Sequence, residues 1–332
     1  MNATEILWQA ARVGEKRALP ILSFPAAKAL GIPVDEMARS AELQAKAVFH
    51  ASRLPTAAAV SPMDLSIEAE AFGARVRFAP DEVPAVTGQL VPDEDAAKAL
   101  AVPDLARGRV PVSLAAIAAE KAQIADKPLL AGVIGPFSLA GRLMDVSEIL
   151  YACVDEPETV HLVVEKAARF VTSYIQALRE AGADGVVMAE PLAGVLSPAM
   201  MEEFSCGAVQ AVISTVQRAD FPVVYHNCGR LAPAAYPMLA DLGAAAYHFG
   251  NAIQMMDALA AMPRDVLVMG NVDPAGVLTS GTPARVREAT LALMAACGKA
   301  ENFLPSTGCD VPYAAPWENI EAFFAAVEEA QA

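Results

Sequence analysis

The chain has 332 residues, 55% of them hydrophobic and 19% charged, with a formal net charge of -15. This composition supplies a large core and excludes a disordered chain, and the negative charge argues against nonspecific attraction to nucleic acid or anionic lipid. The length suits either two modest domains or one α/β barrel spanning 1–332.

No apolar run is long enough to cross a bilayer, and the opening MNATEILWQAARVGEKR reads as an amphipathic helix, without the apolar centre of a signal peptide. The five cysteines (Cys153, Cys206, Cys228, Cys297 and Cys309) are odd in number and widely spaced. A chain of this size does not need disulfide staples, so a reducing cytoplasm is the expected location.

After the N-terminal helix a rhythm sets in. The apolar run ALPILSFP (18–25) precedes a helical pattern over 34–52, and TAAAVSP (56–62) leads into MDLSIEAEAFGA. The segment RVRFAPDEVPAVTGQLV (75–91) alternates and carries prolines, so a hairpin or irregular insertion is expected near 75–110. The rhythm resumes with KPLLAGVIGP (127–136), GVVMAEP (185–191), FPVVYHNC (221–228), AAAYHFG (244–250), DVLVMGNVDP (265–274) and FLPSTGCD (303–310). Each is followed by a helical pattern, and the last helix, PWENIEAFFAAVEEA, opens on proline and acid as a helix start should.

Eight continuous apolar strands alternating with helices imply a parallel sheet covered on both faces. A closed (β/α)8 TIM barrel fits best, with a doubly wound open sheet as the alternative. Neither a Gly-rich dinucleotide fingerprint after the first strand nor a G-x-x-x-x-G-K-[ST] loop is present to favour the open sheet.

In such a barrel the C-terminal strand ends build the active site. His226 and Cys228, in VVYHNCGR (223–230), lie two residues apart and project to one side of a strand, while Cys309 ends the eighth strand and faces the same mouth. One imidazole and two thiolates suit zinc and leave a fourth position open, as in catalytic zinc sites. The alternative is an ordinary buried histidine and small core cysteines. Glu190, at the end of the fourth strand, is a candidate weak ligand or proton handler, or else a carboxylate paired with Arg or Lys. His248 is a candidate substrate contact. Asp64 and Asn271, also at strand ends, are candidates to orient a substrate, or loop caps. His50, His161, Cys153, Cys206 and Cys297 fall on or beside helices and read as structural.

Taken together, SPMDLSIEAEAFGA (61–74), GPFSLAGRLM (135–144), GADGVVMAEPLAGVLSP (182–198), VVYHNCG, MGNVDPAGVLTSGTP (269–283) and PSTGCDVPYAAPWENI (305–320) resemble the uroporphyrinogen decarboxylase superfamily over most of the chain. Within it they are most similar to the methylcobamide:coenzyme M methyltransferase branch. The resemblance implies Zn2+ held by His226, Cys228 and Cys309, a thiol activated on it, and transfer of a methyl group from a methylated corrinoid to that thiol, leaving cobalt(I). It also implies a small corrinoid protein as partner, because no D-x-H-x-x-G stretch occurs among the four histidines. The decarboxylases carry an Arg-rich N-terminal segment that grips a tetrapyrrole's carboxylates, whereas the corresponding PILSFPAAKALGI has no arginine. The expected activity is therefore corrinoid-dependent methyl transfer to a thiol such as coenzyme M. The alternatives are a pterin acceptor (tetrahydrofolate) or another acceptor, and a metal-free decarboxylase-like lyase.

Overall fold

The sequence folds in the computed structural model, described for residues 1–331, into a curled parallel sheet wrapped by helices. Nine strands occur in chain order: β1 (Ala59–Val60), β2 (Arg75–Arg77), β3 (Ala85–Thr87), β4 (Leu129–Ile134), β5 (Gly185–Ala189), β6 (Val223–Asn227), β7 (Ala246–Phe249), β8 (Leu267–Val272) and β9 (Phe303–Thr307). Seven of them form the main sheet in the order β1-β4-β5-β6-β7-β8-β9, every pair parallel. This is the TIM-barrel arrangement expected from the continuous apolar runs. β2 and β3 pair antiparallel as the expected inserted hairpin, with Val76 opposite Val86.

One expected strand is absent. Within 18–25 only Ala18 makes a parallel bridge, to Thr56, and the helix Ser23–Ala29 already includes Phe24 and Pro25. Pro20 explains this, since it has no N–H with which to extend a ladder. The segment still bridges the gap left by this first strand: Leu19 N–H donates to Pro305 O at 2.9 Å, and Ala57 N–H donates to Ala18 O at 2.8 Å. The helix expected over 34–52 is likewise two helices, Val34–Met37 and Ala41–Ser52, divided where the Ser40 hydroxyl accepts the Leu43 N–H.

Side chains alternate across each strand, and the two sets belong to different cores. Leu130, Val187, Val224, Ala246, Leu267, Met269 and Leu304 fill the barrel interior, whereas Leu129, Val186, Val223, Tyr247, Val268 and Phe303 pack outward against the helices. The N-terminal helix Ala3–Ala10 inserts Leu7 and Ala10 into the interior cluster and is started by an Asn2/Glu5 capping box. No helix among the described residues is long and apolar enough to cross a membrane.

The outer layer contains one strongly unfavourable group. Glu120, in the helix Val110–Gln123, is completely buried, neither carboxylate oxygen has a partner, and burial pushes its pKa up to about 8. The folded chain therefore keeps this proton while the unfolded chain releases it near the ordinary value of 4.5. Stability is full below the unfolded value and is lost as pH rises toward about 8. Urea unfolding should show Glu120→Gln gaining on the wild type by about 3 kcal/mol between pH 5 and pH 8. Parallel stability curves for the two proteins across that range would contradict this account.

Candidate metal centre

The interior register continues past the apolar layers into polar ones. Beyond Val224 the next inward position of β6 is His226, beyond Ala246 in β7 it is His248, and beyond Leu304 in β9 it is Ser306. His226 and His248 are register partners across β6 and β7, so strand pairing alone brings the two rings together. All three residues are buried.

Cys228 follows His226 at the same parity, and Cys309 leaves the end of β9 just after Thr307. The ligand atoms of His226, Cys228 and Cys309 lie within 4.8 Å of one another. The Cys309 Sγ is 3.4 Å from His226 Nε2, close to the separation of about 3.6 Å between sulfur and nitrogen on a tetrahedral zinc ion. A donor set of one imidazole and two thiolates thus fits zinc, with a fourth position left for an exogenous ligand.

Electrostatics favour a thiolate here. The neighbouring Cys309 thiol holds the Cys228 thiol well below its ordinary value; burial opposes this, and His226 adds to it. Cys309 is correspondingly pushed up, by the neighbouring Cys228 first and by burial second. Cys153 and Cys206 are instead raised to about 11, mainly by burial, and Cys297 is raised for the same reason. The two groups of cysteines are chemically distinct.

Backbone packing holds the thiol loop in place. A Cβ on Gly250 would come within 2.6 Å of the Cys228 Cα, and one on Gly229 within 2.6 Å of the Gly194 Cα. Asn227 braces the same turn: its Nδ2 donates to Glu190 O at 2.9 Å and its Oδ1 accepts the Gly229 N–H at 2.9 Å. On the other side, Gly308 N–H donates to Val272 O at 2.7 Å, and Thr307 Oγ1 donates to Cys309 O at 2.8 Å.

The other expected site residues are placed elsewhere. Ala189 is the register partner of His226, so Glu190 turns away, toward the helix Pro136–Met144. There its carboxylate accepts the Ser138 N–H at 2.6 Å near the positive end of the helix, while burial raises it to about 7; it has no Arg or Lys partner among the described residues. His248 has both ring nitrogens engaged inside the protein, Nδ1 at 2.7 Å from His226 Nδ1 and Nε2 at 2.8 Å from Ser306 Oγ. Burial, and then His226, keep its pKa well below the usual histidine value. Asn271 donates to the carbonyls of Gly250 and Ile253, at 3.0 and 2.7 Å, bracing the loop after β7. Asp64 is buried in an ion pair with Arg109, which also donates to Glu70 at 2.6 Å and to Ser66 Oγ at 2.7 Å, and lies over the Phe78 ring at 4.8 Å.

Ser306 and the glycine contacts were not singled out in the sequence. For Ser306 the signal was present, because the period-two count from Leu304 turns it inward at the level of the histidines. For Gly194 and Gly250 none was, because a close approach between distant loops leaves no local pattern.

The uroporphyrinogen decarboxylase (URO-D) family profile matches residues 19–330. The chain is 26% identical over 277 residues to a methylated-thiol–coenzyme M methyltransferase of Methanosarcina mazei, covering 82% of this chain and 72% of that protein. It is 27% identical over 285 residues to a uroporphyrinogen decarboxylase of Psychromonas ingrahamii, covering 82% and 78%. The solved structure of a methyltransferase from Methanosarcina mazei superposes with a TM-score of 0.87 at 24% identity, covering all of both chains. A B12-independent methionine synthase from Shewanella sp. W3-18-1 shares the fold more distantly, with a TM-score of 0.50 at 15% identity over 66% of this chain and 65% of that one.

The Arg109 cluster carries a stability prediction. Arg109→Met should leave the buried Asp64 carboxylate unpaired and lower the unfolding free energy by about 3–5 kcal/mol. Urea denaturation measures this directly, and an unchanged midpoint would show that the pair is not holding the 64–70 segment to the insertion.

Proposed function

The chain belongs to the uroporphyrinogen decarboxylase family, and from that premise we propose that it is a zinc-dependent methyltransferase moving a methyl group from a protein-bound methylcobamide to a thiol such as coenzyme M. The observation that carries this reading is the convergence of His226, Cys228 and Cys309 at one end of the barrel, with donor atoms within 4.8 Å of one another. Relatives named as methyltransferases and as decarboxylases match the chain about equally well, so the chemistry of this donor set is what favours transfer. A decarboxylase acting on a polycarboxylate needs fixed cationic partners, and the segment around Leu22 and Phe24 has no arginine for that role.

In this reading His226 Nε2 and the Cys228 and Cys309 sulfurs hold the ion. When bound, zinc supplies a Lewis acid that keeps the incoming acceptor thiol deprotonated at neutral pH. Overall, the thiolate sulfur forms a new bond to the methyl carbon as the carbon–cobalt bond breaks, and the bond pair stays on cobalt as cobalt(I). The protein's own part is to hold and orient. The two thiols sit beside each other and beside His226, so one of them is favoured as thiolate and the other gives up its proton when the ion binds. The glycine contacts under Cys228 fix the loop, and Asn271 braces its neighbour after β7. Asp64 and Asn271, expected to orient the acceptor, would do so only indirectly, Asp64 through its ion pair with Arg109 and Asn271 by bracing the loop after β7; His248 stands behind His226 instead of meeting a substrate, and Glu190 faces the helical layer. A small corrinoid protein docking over the mouth is the proposed donor partner.

The test offers the purified protein methylcobalamin with coenzyme M or with tetrahydrofolate and follows cobalt(I) formation by absorbance. Turnover with coenzyme M, about one zinc per chain, and a loss of at least about 100-fold in Cys309→Ala are expected. Turnover with tetrahydrofolate alone would reassign the acceptor. A metal-free protein that decarboxylates a porphyrinogen would overturn the proposal.

A further inference from the structure

Hydrogen-bond directions can be traced inward from the backbone to the candidate ligand. Leu19 O can only accept, so the Ser306 hydroxyl, 2.6 Å away, gives it its proton. Ser306 Oγ must then act as acceptor toward His248 Nε2, at 2.8 Å, which places the His248 proton on Nε2. A neutral His248 so arranged has a lone pair on Nδ1, 2.7 Å from His226 Nδ1. Two ring nitrogens that close share one proton, and only His226 is left to bring it. His248 O, at 3.2 Å, is a second acceptor for the same N–H. His226 is thereby left with its lone pair on Nε2, the nitrogen that faces Cys309.

We propose that His248 and Ser306 are positioning residues: with the Leu19 carbonyl they form a one-way relay that locks His226 in its Nδ1–H tautomer, keeping Nε2 free as a metal ligand. A ligating histidine usually donates its second N–H to a carboxylate or carbonyl. Here a second histidine takes that place and passes the constraint on to the segment at 18–21. The relay runs from β6 through β7 and β9 to the stretch that stands where the first strand was expected. The ligand's chemistry is therefore tied to closure of the barrel. The inference rests on reading His226 as a zinc ligand.

Two measurements test it. In the metal-free wild type, 15N NMR of the histidine rings should show His226 protonated on Nδ1 and His248 on Nε2; the reverse tautomer at His226 would overturn the proposal, however the variants behave. Zinc affinity is then measured by chelator competition. His248→Leu removes the acceptor and should weaken binding about 10- to 100-fold, whereas His248→Asn, whose Oδ1 stands near the position of Nδ1, should restore it to within a few-fold. Ser306→Ala should bind with an intermediate loss. Equal affinity in His248→Leu and wild type would overturn the relay, as would equal losses in the Leu and Asn variants. A wild type that binds no zinc would instead overturn the metal reading, so the two failures are distinguishable.

Discussion

The parallel pairing of β6 with β7 is the constraint on which the site depends. Because His226 and His248 are register partners and inward positions recur every second residue, no loop needs to be arranged to bring the rings together. A one-residue slip of either strand would turn its histidine outward into the helical layer. The apolar residues that fix the register, Val224 and Ala246 inward, Tyr225 and Tyr247 outward, are thus also what aims the imidazoles. The thiols depend on weaker supports. Each sits on a turn just beyond its strand, and the turns are held by glycine contacts too close for any side chain.

Much of this could be read from the sequence, for identifiable reasons. Runs such as VVMA and VVYHN are buried on both faces, and that requirement leaves a strong compositional trace. The clustering of His226, Cys228 and Cys309 was legible because two of the three are two residues apart and share a face. The run at 18–25 was misleading: its hydrophobicity was real, but Pro20 and the helix beginning at Ser23 left it only one bridge and a few hydrogen bonds along the seam. The break at Ser40 is a cap and could have been taken from the residue type alone.

The side-chain partners were less legible. Glu190 does stand at a strand end, yet whether it faces the interior or the helices depends on the register of β5 against β6, which places Ala189 beside His226. Asp64 is committed to Arg109, a partner 45 residues away in the insertion, and no local pattern announces such a pair. Ser306 is the reverse case, a residue of unremarkable type whose inward parity makes it the link between His248 and the chain's own backbone.

The family includes relatives named as methyltransferases and as decarboxylases, and in this chain the inward polar layer and the turns beyond it offer nitrogen and sulfur. Zinc K-edge X-ray absorption, recorded on the protein with and without the acceptor thiol, addresses the central claim most directly. The account predicts one nitrogen and two sulfur ligands from the protein in the resting state, and a third sulfur at about 2.3 Å once the thiol is added. A zinc shell that does not change on adding the thiol, or one without two sulfurs at the start, would contradict it.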